Sequence, residues 1–164
     1  MKNIIKILLL LMICTANMCE KKEDSENCHF AIKFSNNTTK NLRVKSAYHS
    51  VHHPEPLDIT RLSYTAMGEM YKINSNEQDN RSAMKIRGCI EKVFKREGYT
   101  DTVFVYIFDA ELIENTPWEV IARDYLVLKR YDLTLEDLNS LNWNIPYPPD
   151  ERMKNMKMWP PYGQ

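Results

Sequence analysis

Glycine is scarce in this chain, with four residues in 164. Few places are therefore left where the backbone can turn through positive φ at no steric cost or wrap closely around a phosphate. No phosphate loop, Gly-x-Ser-x-Gly, Cys-x-x-Cys or His-Glu-x-x-His motif occurs. These absences speak against the common enzyme classes, and the expectation is a domain without catalytic activity or cofactor. Excess charge is missing too: 22 Lys and Arg stand against 22 Asp and Glu. Without a basic cluster, nucleic acid is not an expected partner, nor is an anionic membrane surface. Finally, no apolar run approaches the roughly 20 residues that a membrane-spanning helix needs.

The longest apolar run lies at the start. Lys2 and Lys6 precede or interrupt a stretch that ends near Ile13, about half a membrane span, which is the pattern of an export signal. Two cysteines follow. Cys14 has Leu11 three residues ahead but the large Ile13 directly before it, and Cys19 follows Ala16-Asn17-Met18. Both resemble the site at which a lipoprotein is cleaved and acylated. Cys19 is preferred, with Cys14 as the alternative, because the charged run Glu20 to Glu26 after it suits a tether. The resulting division is a signal peptide over 1–18, a tether over 19–27 and one domain over 28–164. Lys22-Glu23-Asp24 also resembles the acidic export tag of surface lipoproteins in the Bacteroidota. That resemblance implies an outer-membrane, surface-exposed location, with a periplasmic or secreted protein as the alternatives.

Processing after residue 18 removes Lys2 and Lys6 and no acid. Basic residues fall from 22 to 20 against 22 acids, a net charge of −2. If Cys19 carries the lipid, Cys28 and Cys89 remain as a pair in an oxidising compartment. They form either a disulfide closing a loop of about 60 residues, worth about 4 kcal/mol in the chain-entropy model, or two buried thiols.

The domain reads as mainly β. Residues 29–34 and 42–48 alternate around the polar stretch 35–40 and suggest a β-hairpin. Short strands are expected at 70–73 and 83–87, with a polar loop over 75–80 and one or two helical turns from Ile90 to Arg96, ending near Gly98. Thr102 to Phe108 is almost wholly apolar and should be a central strand buried on both faces. Thr116-Pro117-Trp118-Glu119 has the form of a capping box opening a helix, and a strand is expected over 125–131. Thr134 with Asp137 caps a second short helix carrying Leu135, Leu138 and Leu141. Five prolines after residue 145 should keep the tail out of regular structure. The expected fold is an antiparallel β-sandwich with two short helices in the C-terminal third; an α+β open sheet is the alternative.

The segments Phe108-Asp109-Ala110-Glu111, Asn115-Thr116-Pro117-Trp118, Leu128 to Thr134 and Tyr147-Pro148-Pro149 resemble small Bacteroidota lipoproteins of unknown function. The resemblance covers over a third of the chain and brings no activity or site residue with it.

Three groups are candidates for chemistry. His49, His52 and His53 lie near Glu55 and Asp58 in sequence, but neighbouring histidines on an extended chain point apart, so a solvated loop is expected and no metal. Asp109 and Glu111 follow the central strand, where carboxylates serve either as an acid–base pair or in capping and ion pairing. Tyr147, Trp159 and Tyr162 alternate with prolines and suit either sugar stacking and partner docking or pinning the tail to its own domain. The expected function is therefore an anchored envelope module. Its partners would be the bilayer, through its lipid, and a protein or glycan. A carboxylate hydrolase and a structural part of an envelope complex are the alternatives. Asp101-Thr102-Val103 also resembles the Asp-Thr-apolar acceptor of O-glycosylation in the same bacterial group.

Overall fold

The computed structural model describes residues 28–50, 59, 70–85 and 88–164. The expected signal peptide, tether, Cys14 and Cys19, together with His52, His53, Glu55 and Asp58, lie outside these residues. The described strands are β1 (Ala31–Asn36), β2 (Leu42–Ser50), β3 (Tyr71–Ile73), β4 (Gln78–Lys85), β5 (Tyr99–Asp109), β6 (Lys129–Thr134), β7 (Asn144–Tyr147) and β8 (Lys157–Trp159). Short helices are α1 (Ile90–Phe94), α2 (Ala110–Asn115), α3 (Trp118–Arg123) and α4 (Leu135–Ser140), and a 3-10 turn spans Glu151–Met153. No described helix is long and apolar enough to cross a membrane.

The fold is mainly β, as expected, and is built around β5. Val103 to Phe108 are all buried, and β5 is the middle strand of a five-stranded sheet ordered β3-β2-β5-β6-β8. Because side chains alternate along a strand, Val103, Val105 and Ile107 face one side and Phe104, Tyr106 and Phe108 the other. The first set packs with Ile32, Phe34 and Ile145 of a three-stranded sheet ordered β4-β1-β7, which makes a sandwich. The second set packs with Ile59, Trp118, Ile121, Ala122 and Val127. Helix α3 thus roofs the outer face of the large sheet. The large sheet is antiparallel throughout. In the small sheet β1 and β7 run parallel, a departure from the all-antiparallel expectation.

The first two strands are not a hairpin. β1 pairs with β4 and β7, whereas β2 pairs with β3 and β5, so the chain crosses between sheets over residues 37–41. The connection β3–β4 crosses as well, and the two arches are stitched together. Asn76 N–H donates to Thr38 O (2.9 Å), Asn36 N–H to Glu77 O (3.0 Å) and Ser75 N–H to Asn41 Oδ1 (3.0 Å). Fully buried Asn36 pins both arches. Its Nδ2 donates to Lys40 O (2.7 Å) and Asn74 O (2.8 Å), and its Oδ1 accepts from Thr38 N (3.0 Å) and Thr38 Oγ1 (2.8 Å). Every donor and lone pair of that amide is used.

The C-terminal third holds one helix more than expected. Asp109 accepts from Glu111 N–H (3.0 Å) and caps α2. Thr116 is the C-cap of α2, and the N-cap of α3 falls one residue later on Pro117, which has no side-chain hydrogen bond to offer. The capping box expected at Thr116 and Glu119 is therefore not formed. The one at Thr134 and Asp137 is. Tyr125 turns at φ 50° instead of opening a strand, and β6 begins four residues later. The tail, expected to lack regular structure, supplies β7 and β8. β7 is an edge strand, where the donor missing from Pro146 is tolerated. Buried Lys129, its pKa lowered by that burial, donates to Pro160 O (2.9 Å), Pro161 O (3.4 Å) and Gln164 O (3.1 Å) and fastens the last residues. Tyr131 Oη–H donates to Pro146 O (3.1 Å) from the opposite sheet.

Cys28 and Cys89 form a disulfide with Cα atoms 5.2 Å apart. It ties the start of the domain to the residue that opens α1.

Asn36→Ala removes a fully buried amide that donates to Asn74 O and, beside the Thr38 hydroxyl, to Lys40 O. The expected loss is about 2–4 kcal/mol in urea unfolding, while exposed Asn37→Ala changes stability by less than about 0.5 kcal/mol. Equal midpoints for the two variants would remove Asn36 from its role as the pin.

Candidate functional site

Strand register sets out the surface beyond the edge of the α3 roof. Tyr106 pairs with Lys45 on one side and Arg130 on the other, and Arg130 pairs with Trp159. The next row, two residues along and so on the same face, reads Ala47, Phe104, Asp132 and Lys157. A third pairs Thr102 with Thr134. Alternation at spacing two therefore brings a tryptophan, an arginine, an aspartate, a lysine and two threonines onto one face of three adjacent strands.

Asp132 is the fixed point of this face, its side chain 1% exposed. Arg130 grips it with Nε to Oδ1 (2.7 Å) and Nη2 to Oδ2 (3.2 Å), and Lys157 Nζ lies 3.5 Å from Oδ2. A two-pronged guanidinium–carboxylate pair holds a definite geometry. Arg130 Nη1 also donates to the Tyr125 hydroxyl (3.1 Å), and the Tyr125 ring meets Trp159 edge-on at 4.6 Å. Trp159 is thereby held in place while 41% exposed. Beside this face opens a groove of about 410 Å³, lined among others by Asp101, Thr102, Asp132, Asp137, Asn155 and Lys157. A shallower hollow of about 310 Å³ shares Asp101 and Thr134 and continues over the first turn of α4 towards Phe94. Hydroxyl, carboxylate, amide and ammonium groups thus surround a concavity with an exposed indole on the same face.

Of the three tail aromatics, only Trp159 is on this face. Tyr147 is half-buried against the inter-sheet core, and that burial raises its pKa. The Tyr162 hydroxyl donates to Glu151 Oε1 (3.1 Å). Tyr125, Arg130 and Asp132 are not among the residues the sequence marks as a binding site. The period-two spacing of Arg130 and Asp132 was available as a signal, whereas the turn at Tyr125 that sets its ring beside Trp159 carries no local marker.

Asp109 and Glu111 lie at the far end of β5 from the groove. Asp109 caps α2 and accepts from Lys40 Nζ (2.9 Å). The hydrogen bond from Lys40 outweighs burial and holds its carboxyl below the usual range. Glu111 is exposed. His49 lies on β2, and the rest of the histidine cluster falls outside the described residues.

The chain matches no known family model, and neither a curated protein nor a solved structure shows significant similarity to it.

A depressed carboxyl pKa stabilises the fold above the ordinary aspartate value of about 3.9, and that contribution is lost as pH falls through the lower folded-state value. Asp109→Asn is therefore expected to lower stability at pH 7 and to flatten its decline below about pH 4. Urea unfolding at the two pH values checks this; an unchanged pH slope would contradict it.

Proposed function

We propose that the protein is a membrane-anchored envelope lipoprotein whose domain is a non-catalytic binding module for a glycan, seated on the outer face of the large sheet. The observation that carries this reading is the exposed indole of Trp159, held by Tyr125 beside a groove rich in fixed polar groups. Sugar rings present apolar C–H faces and a rim of hydroxyls. An exposed indole meets the first by stacking, while Lys157, Thr102 and Asn155 offer both donors and acceptors to the second, and buried Asp132 anchors Lys157. Sites of this kind depend on a small number of fixed polar groups for orientation, and the Arg130 fork keeps Asp132 in one position. The export signal, Cys19 and the charged tether support placement at the envelope, on the outer membrane and facing outward. The missing catalytic motifs support binding without turnover.

Full-length protein in detergent, applied to an array of bacterial and host glycans, is expected to give saturable binding to a defined subset. Trp159→Ala should weaken that binding by about tenfold or more, roughly 1.4 kcal/mol, with the unfolding midpoint little changed. No saturable glycan, or a Trp159→Ala variant that binds like the parent, would overturn the reading.

A further inference from the structure

A second cluster, none of whose residues lines the groove, joins the start of the domain to α1. Cys28, Cys89 and Glu91 each present one ligand atom, and these atoms lie within 4.8 Å of one another. Glu91 Oε2 lies 3.1 Å from Cys89 Sγ. Its carboxylate is held by the His29 backbone N–H (2.9 Å to Oε2) and by His29 Nδ1 (2.5 Å from Oε1). The imidazole stacks on Trp143 at 3.9 Å with the rings 12° from parallel. The indole N–H of Trp143 in turn donates to Asn139 Oδ1 (3.0 Å).

These contacts do not depend on the sulfur–sulfur bond. Ile90 N–H donates to His29 O (2.8 Å), and Ile90 is fully buried. The segment carrying Cys28 and the segment carrying Cys89 and Glu91 are therefore joined by contacts other than the disulfide. Opening leaves two thiols and an oriented carboxylate facing a common point. In a tetrahedral zinc site with Zn–S near 2.3 Å, neighbouring sulfurs lie about 3.8 Å apart, a spacing that cysteines with Cα atoms 5.2 Å apart can reach through their side chains. Both cysteines and Glu91 are half-buried, which leaves a route for the ion to enter.

We propose that reduction converts the Cys28–Cys89 disulfide into a zinc-class metal site with Cys28 Sγ, Cys89 Sγ and Glu91 Oε2 as protein ligands and water in the fourth position. His29 acts as a positioning residue, orienting the ligating carboxylate through its ring and backbone nitrogens as outer-shell partners do. The chemistry balances with thiols as the co-reactant. Two external thiols become one disulfide, the Cys28–Cys89 bond takes up their two electrons and two protons, and the metal then displaces both protons from the sulfurs. Borderline-soft ions that favour thiolate are selected, and magnesium and calcium are not.

The test uses the full chain carrying Cys14→Ser and Cys19→Ser, so that Cys28 and Cys89 are its only thiols. The protein is reduced with a phosphine without oxygen, then titrated with cobalt(II) followed by zinc(II). One cobalt per chain is expected, with sulfur-to-cobalt charge-transfer absorption that one equivalent of zinc abolishes and with release of two protons. The oxidised protein should show neither. Glu91→Gln should keep the sulfur band but weaken zinc binding by about tenfold or more, and adding Cys28→Ser and Cys89→Ser should abolish both. Near-ultraviolet circular dichroism of the reduced, metal-free protein should keep its folded signature. The proposal is overturned if reduction erases that signature, if the reduced protein binds cobalt no better than the variant without cysteines, or if Glu91→Gln leaves the affinity unchanged.

Discussion

Six consecutive residues of β5, Val103 to Phe108, have one polar side-chain atom between them, the Tyr106 hydroxyl. A strand of that kind has to be shielded from water on both faces, and the rest of the domain supplies the two covers. On the inner face the small sheet closes the sandwich with Ile32, Phe34 and Ile145. On the outer face α3 and Ile59 close over Phe104, Tyr106 and Phe108. At about 25 cal/mol per Å² of apolar surface removed from water, either cover lost would expose several large side chains at once. Among the described residues, the outer cover holds none that packs on β8 besides Tyr125. Arg130, Asp132, Lys157 and Trp159 remain at its margin, and the candidate binding face is what the roof leaves open.

Two covers on one sheet also require the chain to change layers. It does so through the stacked arches at 37–41 and 74–77, with the Asn36 amide between them. Asn36 stands in a polar run of the sequence and gives no outward sign of burial. Sequence pattern reports which residues alternate, but the partner of a strand is decided by where its turn sends it. The turn here is set by one side chain bonding to a carbonyl 38 residues away. This is why β1, β2 and β5 are legible as strands in the sequence while the partner of β1 is not. The central strand, α1, the Thr134 cap and the mainly β class followed from local signals that tertiary structure did not override. The tail was misread for a related reason. Proline removes donors but does not prevent an edge strand, and the carbonyls of Pro160 and Pro161 accept from buried Lys129, about 30 residues earlier in the chain.

The candidate face was legible only in fragments. Trp159 stood out as an aromatic among prolines, and Arg130 with Asp132 lay at strand spacing. Nothing local linked them to Tyr125, to Lys157 or to the threonines of β5 and β6, because cross-strand register assembles the face. Asp109 shows the converse. A carboxylate at a strand end invites a catalytic reading, yet its position before Ala110 and Glu111 is that of a helix cap, and Lys40 completes its environment.

The central claim is that the outer face between Trp159 and Thr102 holds the ligand, and the most direct measurement is amide and indole chemical-shift mapping of isotopically labelled protein titrated with a bacterial polysaccharide digest. The account predicts saturable shifts concentrated on the Trp159 indole, Tyr125, Arg130, Asp132, Lys157 and Thr134, with the β1, β4 and β7 strands unmoved. Shifts confined to the small sheet, or a Trp159 indole signal that does not respond while other sites saturate, would contradict it.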